Sequence, residues 1–216
     1  MIGLRYTLLA DGTSDRALEQ VVSWALRRAG ERVEQASWAD FSFAVTPPRT
    51  LRDRVREAIR LYPCDLLFVH RDAEALPRAD RRDEIRDAVA SACDYYVPIV
   101  PVRMTEAWLL HDEAAIRQAS GNPSGSAELN LPAASAIERI ADPKSVLSET
   151  LLSATELTGR RRDRKRRELP KMRRRVADLI DDFGPLVGVP AFDSFLADLA
   201  EALEGLGAAA QAGGLR

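Results

Sequence analysis

With 216 residues, 46% of them apolar and 30% charged, and a net charge of −2, the chain has ample material for a core and falls outside the globally disordered class. Its length fits one large α/β domain or a core with a helical appendage. No apolar run approaches the roughly 20 residues of a membrane span. The start, Met1-Ile2-Gly3-Leu4-Arg5-Tyr6, lacks the basic lead and apolar stretch of a secretory signal, so a cytoplasmic protein without membrane contact is expected. Cys64 and Cys93 are too few for a disulfide framework or a zinc site and read as reduced, buried thiols.

Leu4 to Leu9 reads as the first strand and Ala10-Asp11-Gly12-Thr13-Ser14 as a tight loop. Asp15 to Arg28 carries Leu18, Val21, Val22, Ala25 and Leu26 at helical spacing, with Ser14 or Asp15 available as the cap. Strand, glycine loop and helix in that order make an anion- or metal-facing corner. The Gly-Lys-Ser/Thr of a P-loop and the further glycines of a dinucleotide fingerprint are missing. Phe41 to Val45 is the expected second strand, ended by Pro47-Pro48. Thr50 then caps a helix to about Tyr62, with Leu51, Val55, Ala58, Ile59 and Tyr62 on one face, and Pro63 stops it.

Asp65-Leu66-Leu67-Phe68-Val69-His70-Arg71-Asp72-Ala73-Glu74 is the most informative stretch. Its apolar run reads as a strand buried on both faces of a parallel sheet. The polar residues that follow fall at the strand's C-terminal edge, where open α/β sheets hold their ligands. Asp72 and Glu74, two apart in extended backbone, point to one side. Two such carboxylates repel unless a cation lies between them, and a divalent metal is the usual solution.

Arg81 to Ala92 follows as an amphipathic helix, and Tyr96 to Val102 as a strand whose Pro98 and Pro101 suggest an edge position. Thr105 is the expected cap of a helix that puts Glu106 in its first turn. Ser120 to Ser126 is a loop. Beyond Ala133 the pattern is helical, near 133–140, 144–154, 171–183 and 192–206, with a frayed tail from Gly207 to Arg216. The alternation of strands and helices gives a mostly parallel sheet with helices on both faces. The chain shows no internal repeat.

Charge is unevenly distributed. Between Arg160 and Arg175, eleven of sixteen residues are Arg or Lys against two acids, a net +9 that leaves −11 on the remaining 200. A run this dense repels itself unless an anionic partner is present, and nucleic-acid backbone is the commonest one. The candidate contacts are Arg160, Arg161, Arg162, Arg164, Lys165, Arg166, Arg167, Lys171, Arg173 and Arg174. No aromatic residue interleaves them, so base stacking is not expected. An acidic patch on a protein partner is the rival reading.

Three motifs together resemble a Toprim-type core. Asp11-Gly12-Thr13-Ser14-Asp15 stands where that family has Glu-Gly-x-Thr-Asp, and Asp72-Ala73-Glu74 where it has Asp-x-Asp. Pro101-Val102-Arg103-Met104-Thr105-Glu106-Ala107-Trp108-Leu109-Leu110-His111-Asp112 resembles the Glu-Ala-Trp-Leu-Leu-x-Asp signature of a bacterial family of unknown function with Toprim-like cores. Members of that family are often encoded beside ABC-type ATPases. The likeness implies a Toprim-like core over 1–118, followed by a helical extension over 119–206 and the tail 207–216. It also implies Mg²⁺ or Mn²⁺ held by Asp11, Asp72, Glu74 and Glu106, with Asp11 and Glu106 catalytic. Asp11 is one methylene shorter than the family's glutamate, and Glu74 one longer than its aspartate.

The expected function is therefore a magnesium-dependent nuclease or related phosphodiester-cleaving protein, with Arg71 and Arg103 as phosphate contacts. An ATPase-linked role in phage defence follows from the resemblance alone. The alternative is a non-catalytic Toprim-like module that binds or regulates an ATPase, and a third reading is a small-molecule phosphohydrolase. Each acidic residue also has a structural use: Asp11 and Asp15 in the turn or cap, Glu106 against a helix dipole, Asp72 and Glu74 as solvated loop residues. His70 is a candidate proton carrier or ligand at the strand end, and Trp108 reads as core.

Overall fold

A computed structural model describes residues 3–73 and 76–213. Strands β1 (Leu4–Leu9), β2 (Val33–Trp38), β3 (Leu66–His70) and β4 (Tyr96–Ile99) form one sheet in the order β2-β1-β3-β4, every pair parallel. Leu9 stands opposite Val69 and His70 opposite Ile99, so three strands end at a common edge. The α/β architecture with a parallel sheet flanked by helices is thus as expected.

β3 is interior, and all five of its residues are buried. Alternation sorts them between the faces. Leu67 and Val69 join Leu9 in a cluster with Val55 and Ala58 of α2 (Leu51–Leu61) and with Ile85, Ala88 and Val89 of α3 (Arg78–Val89). Each large side chain buried there contributes about 1.5–3 kcal/mol. On the other face Phe68 meets Tyr6 edge-on at 5.4 Å and lies 6.4 Å from Phe195 of α8 (Pro190–Gly213). Thr50 caps α2 as expected, its hydroxyl oxygen accepting from the Asp53 amide at 3.1 Å.

The second strand is not Phe41 to Val45. Backbone pairing to β1 puts it at Val33–Trp38, an outer strand with no buried residue. Phe43 and Val45 are instead 64% and 102% exposed in the loop that follows. β4 occupies the other edge, where Pro98 is tolerated, and ends before Pro101. The expected helix at Thr105 is a five-residue 3-10 turn, Thr105–Leu109, entered from Met104 rather than capped by Thr105. The α-helix α4 (Glu113–Ser120) starts only where Asp112 accepts from the Ala115 amide at 2.9 Å. Likewise a 3-10 turn, Thr13–Ala17, precedes α1 (Leu18–Arg28), with Gly12 at its N-cap and Asp15 accepting from the Gly12 amide at 2.8 Å.

The chain divides into two compact units. The first comprises Met1–Asp11, Ala25–Val100 and Pro190–Arg216, which is the sheet with α2, α3, α8 and the end of α1. The second comprises Gly12–Trp24 and Pro101–Val189. It contains α4, α5 (Pro143–Ala154), α6 (Gly159–Arg166), α7 (Leu169–Leu179) and the 3-10 turns Thr13–Ala17, Thr105–Leu109, Ala134–Arg139 and Gly184–Leu186. α4, α5 and α7 pack on one another and bury Ile116, Leu147, Leu151 and Val176. Trp108 is core there, at 1% exposure.

This division does not follow the linear boundaries at 118 and 206. Residues 101–118 group with the helical unit, whereas Phe195 ties the last helix to the sheet. α8 continues through Gly213, because Ala208-Ala209-Ala210-Gln211 is strongly helix-forming. Among the described residues no helix is long and apolar enough to cross a membrane.

Candidate functional site

Asp11 and Asp72 follow the adjacent strands β1 and β3 at the C-terminal edge of the sheet. Asp11 is a clamp between two arginines. Its Oδ1 accepts from Arg54 Nη1 at 2.9 Å, and its Oδ2 lies 3.0 Å from Arg71 Nε. Arg54 also donates to the Ala10 carbonyl. Arg71 reaches on to Glu84 Oε1 at 2.7 Å, and Glu84 Oε2 accepts from Arg81 at 2.7 Å. Positive and negative groups alternate along this chain, so each neutralises its neighbours. Asp72 Oδ1 lies 3.1 Å from Nε2 of His70, whose side chain is fully buried. His70 therefore lies at the strand end beside Asp72.

A divalent ion needs oxygen ligands that converge without a competing cation. Both oxygens of Asp11 hold guanidinium groups, and one oxygen of Asp72 holds an imidazole. Among the described residues, no group of three or more His, Cys, Asp or Glu side chains is placed to hold a metal ion. Glu74 lies outside the described residues. Asp11 and Asp72, engaged in this way, do not fit Mg²⁺ or Mn²⁺. Arg71, expected as a phosphate contact, is occupied by Asp11 and Glu84, and Arg103 is exposed just ahead of the Thr105–Leu109 turn.

The helical unit holds the basic segment as two helices. α6 presents Arg160, Arg161, Arg164 and Arg166 to solvent. Glu149 of α5 accepts from Arg162 at 2.8 Å and lies 3.6 Å from Arg166. Lys165 donates to Glu168 at 2.9 Å, and that hydrogen bond holds the Glu168 carboxyl below its usual range. α7 is amphipathic: Leu169, Met172, Val176 and Ala177 are buried, which turns Lys171 and Arg174 outward. Arg173 is half-buried and anchored by donating to Ser148 Oγ at 3.0 Å.

Glu106 enters the same unit from the Thr105–Leu109 turn. Together with Thr105, Leu109, Lys171, Arg173 and Arg174 it lines a cavity of about 340 Å³, completed by Ala17 and Pro170. Three cations against one carboxylate give the lining a charge of +2. Lys171 also sits in the first turn of α7, the helix end that favours anions. The arrangement suits a phosphate-bearing ligand with an apolar portion against Leu109 and Pro170. Glu106 and the basic segment, two separate expectations, are therefore brought into one place.

Sequence reasoning missed Arg54 as a partner of Asp11, and Glu84, itself paired with Arg81, as a partner of Arg71. Their helix positions look like ordinary solvated charges. Comparison with protein-family models, curated proteins and solved structures gives no match.

Proposed function

We propose that the protein is a binding module for the phosphate backbone of nucleic acid, gripping it through the exposed cations of α6 and α7. The observation that carries this reading is the cavity where Lys171, Arg173 and Arg174 meet. Arginine and lysine on rigid helices supply the charge-assisted contacts that phosphates need. Engagement of Asp11 by Arg54 and Arg71 favours a binding role over catalysis at the sheet edge. A Toprim kinship belongs to this reading as a proposal, supported by acidic residues at the ends of the neighbouring strands β1 and β3. An ABC-type ATPase partner rests on the sequence resemblance alone.

Anisotropy with labelled single-stranded DNA, duplex DNA and tRNA across a salt series tests the proposal. If three of the exposed cations of α6 and α7 each meet one phosphate, log affinity falls against log salt with a slope of about −2 on a single strand. Salt-independent binding, or none at low salt, overturns it.

A second reading, Mg²⁺- or Mn²⁺-dependent phosphodiester cleavage, is favoured by the shared edge of Asp11 and Asp72. It requires Glu74 and a rearrangement of the Asp11 clamp. Cleavage of plasmid, single-stranded DNA or tRNA that disappears in Asp72→Ala replaces the binding module with an enzyme. Intact substrate with both metals retains the module.

A further inference from the structure

The cavity at the start of α7 differs from a plain phosphate-tracking groove in two respects. It is small: about 340 Å³ lies at the lower end of the roughly 300–1,000 Å³ range of small-ligand pockets, about the room one nucleotide fills. It also contains a carboxylate. Glu106 sets one negative charge among three cations, and ionised it accepts hydrogen bonds but does not donate them. A ligand that gains from Glu106 must carry donors as well as phosphate. A ribose supplies one through the 2′-hydroxyl that separates RNA from DNA; base amino groups supply others that DNA shares, and comparison with DNA separates the two.

Charge gives the second half of the argument. An internal phosphodiester carries a single negative charge. A terminal phosphomonoester carries about −1.5 to −2 at neutral pH and three acceptor oxygens. The lining of Lys171, Arg173 and Arg174 against Glu106 sums to +2 and matches the terminal group. Arg173 is pre-positioned by its bond to Ser148, so less side-chain entropy is lost on binding.

We infer that this cavity recognises the phosphorylated end of an RNA strand. The terminal phosphate sits on Lys171, Arg173 and Arg174, the nucleotide rests against Leu109 and Pro170, and Glu106 accepts from a sugar hydroxyl. The inference rests on the nucleic-acid-binding reading and sharpens it to an end and a sugar. A 5′-phosphate and a 3′-phosphate share the chemistry, and both belong in the test.

The test is competition binding with short oligonucleotides of one sequence: RNA ending in 5′-phosphate, in 3′-phosphate or in hydroxyls, and the same set in DNA. One phosphorylated RNA should bind about tenfold or more tighter than hydroxyl-ended RNA, the gain of one added charge-assisted contact. It should also exceed its DNA counterpart. Lys171→Gln, at an exposed position, should erase the end preference. Glu106→Gln should erase the preference for RNA while strengthening phosphorylated DNA. Arg160→Gln on α6 should weaken all ends alike. Equal affinity for phosphate and hydroxyl ends, equal affinity for RNA and DNA, or a preference that survives Lys171→Gln overturns the inference, leaving the backbone-binding reading in place. Failure of every oligonucleotide to bind at low salt overturns both.

Discussion

Replacing Asp11 by asparagine removes the charge that holds Arg54 at 2.9 Å and Arg71 at 3.0 Å. The hydrogen bond from Arg54 to the charged carboxylate is worth about 1.5–3 kcal/mol when shielded, and Arg71 adds ion-pair attraction without a hydrogen bond. Asp11 is 40% exposed, although the two arginines are only 18% and 20% exposed, so solvent screening reduces the sum to about 1–2 kcal/mol. For a chain of this size that is a fall in melting temperature of about 2–8 °C. The assay is thermal unfolding of Asp11→Asn in EDTA, beside the native protein with and without Mn²⁺. A metal ligand behaves in the opposite way: without metal its carboxylate repels its neighbours, and asparagine relieves that repulsion. An Asp11→Asn protein that melts at or above the native temperature in EDTA, together with Mn²⁺ stabilisation confined to the native chain, would refute the arginine clamp.

Arg82 and Asp198 join α3 to α8 through a two-pronged contact, one prong at 2.7 Å, with Asp198 17% exposed. Arg82→Ala should cost about 1 kcal/mol, and a double-mutant cycle with Asp198→Ala should return a coupling of that order; additive effects would show that the contact contributes nothing. His111 titrates below the ordinary histidine value because it is half-buried beside Phe183, an effect partly offset by Asp112 and Asp182. The folded value lies below the unfolded one, so its contribution to stability is complete above about pH 6.5 and is lost as pH falls through the folded value. His111→Gln should therefore flatten the loss of urea resistance between pH 7 and pH 5, and an unchanged profile would assign that loss to other groups.

The parts of the fold visible in the sequence are those in which side-chain burial and secondary structure coincide. Leu66–His70 is buried on both faces and carries an unbroken apolar run, while Thr50 and Pro63 bracket α2 with a cap and a stop. Val33–Trp38 escaped because an outer strand is held by backbone pairing to β1 and needs no apolar alternation. Phe41 to Val45 attracted the assignment through residues that lie exposed in a loop. At the site, Asp11, Asp72 and Glu106 could be found by their positions after strands. The arginine clamp on Asp11 could not, because Arg54, and Glu84 behind Arg71, meet the sheet edge only through helix docking. The basic segment was plain as charge, but its division at Glu168–Pro170 into a solvated helix and an amphipathic one decides which cations reach the cavity.

The proposal that α7 meets nucleic-acid phosphates is tested most directly by the salt dependence of the doubly substituted protein, Lys171→Gln with Arg174→Gln. Both side chains are exposed, so the fold is retained. Loss of two phosphate contacts should reduce the steepness of log affinity against log salt by about 1.4 on a single strand and about 1.8 on a duplex. A slope identical to that of the native protein would mean that these cations touch no phosphate, and the binding role assigned to this face would be wrong.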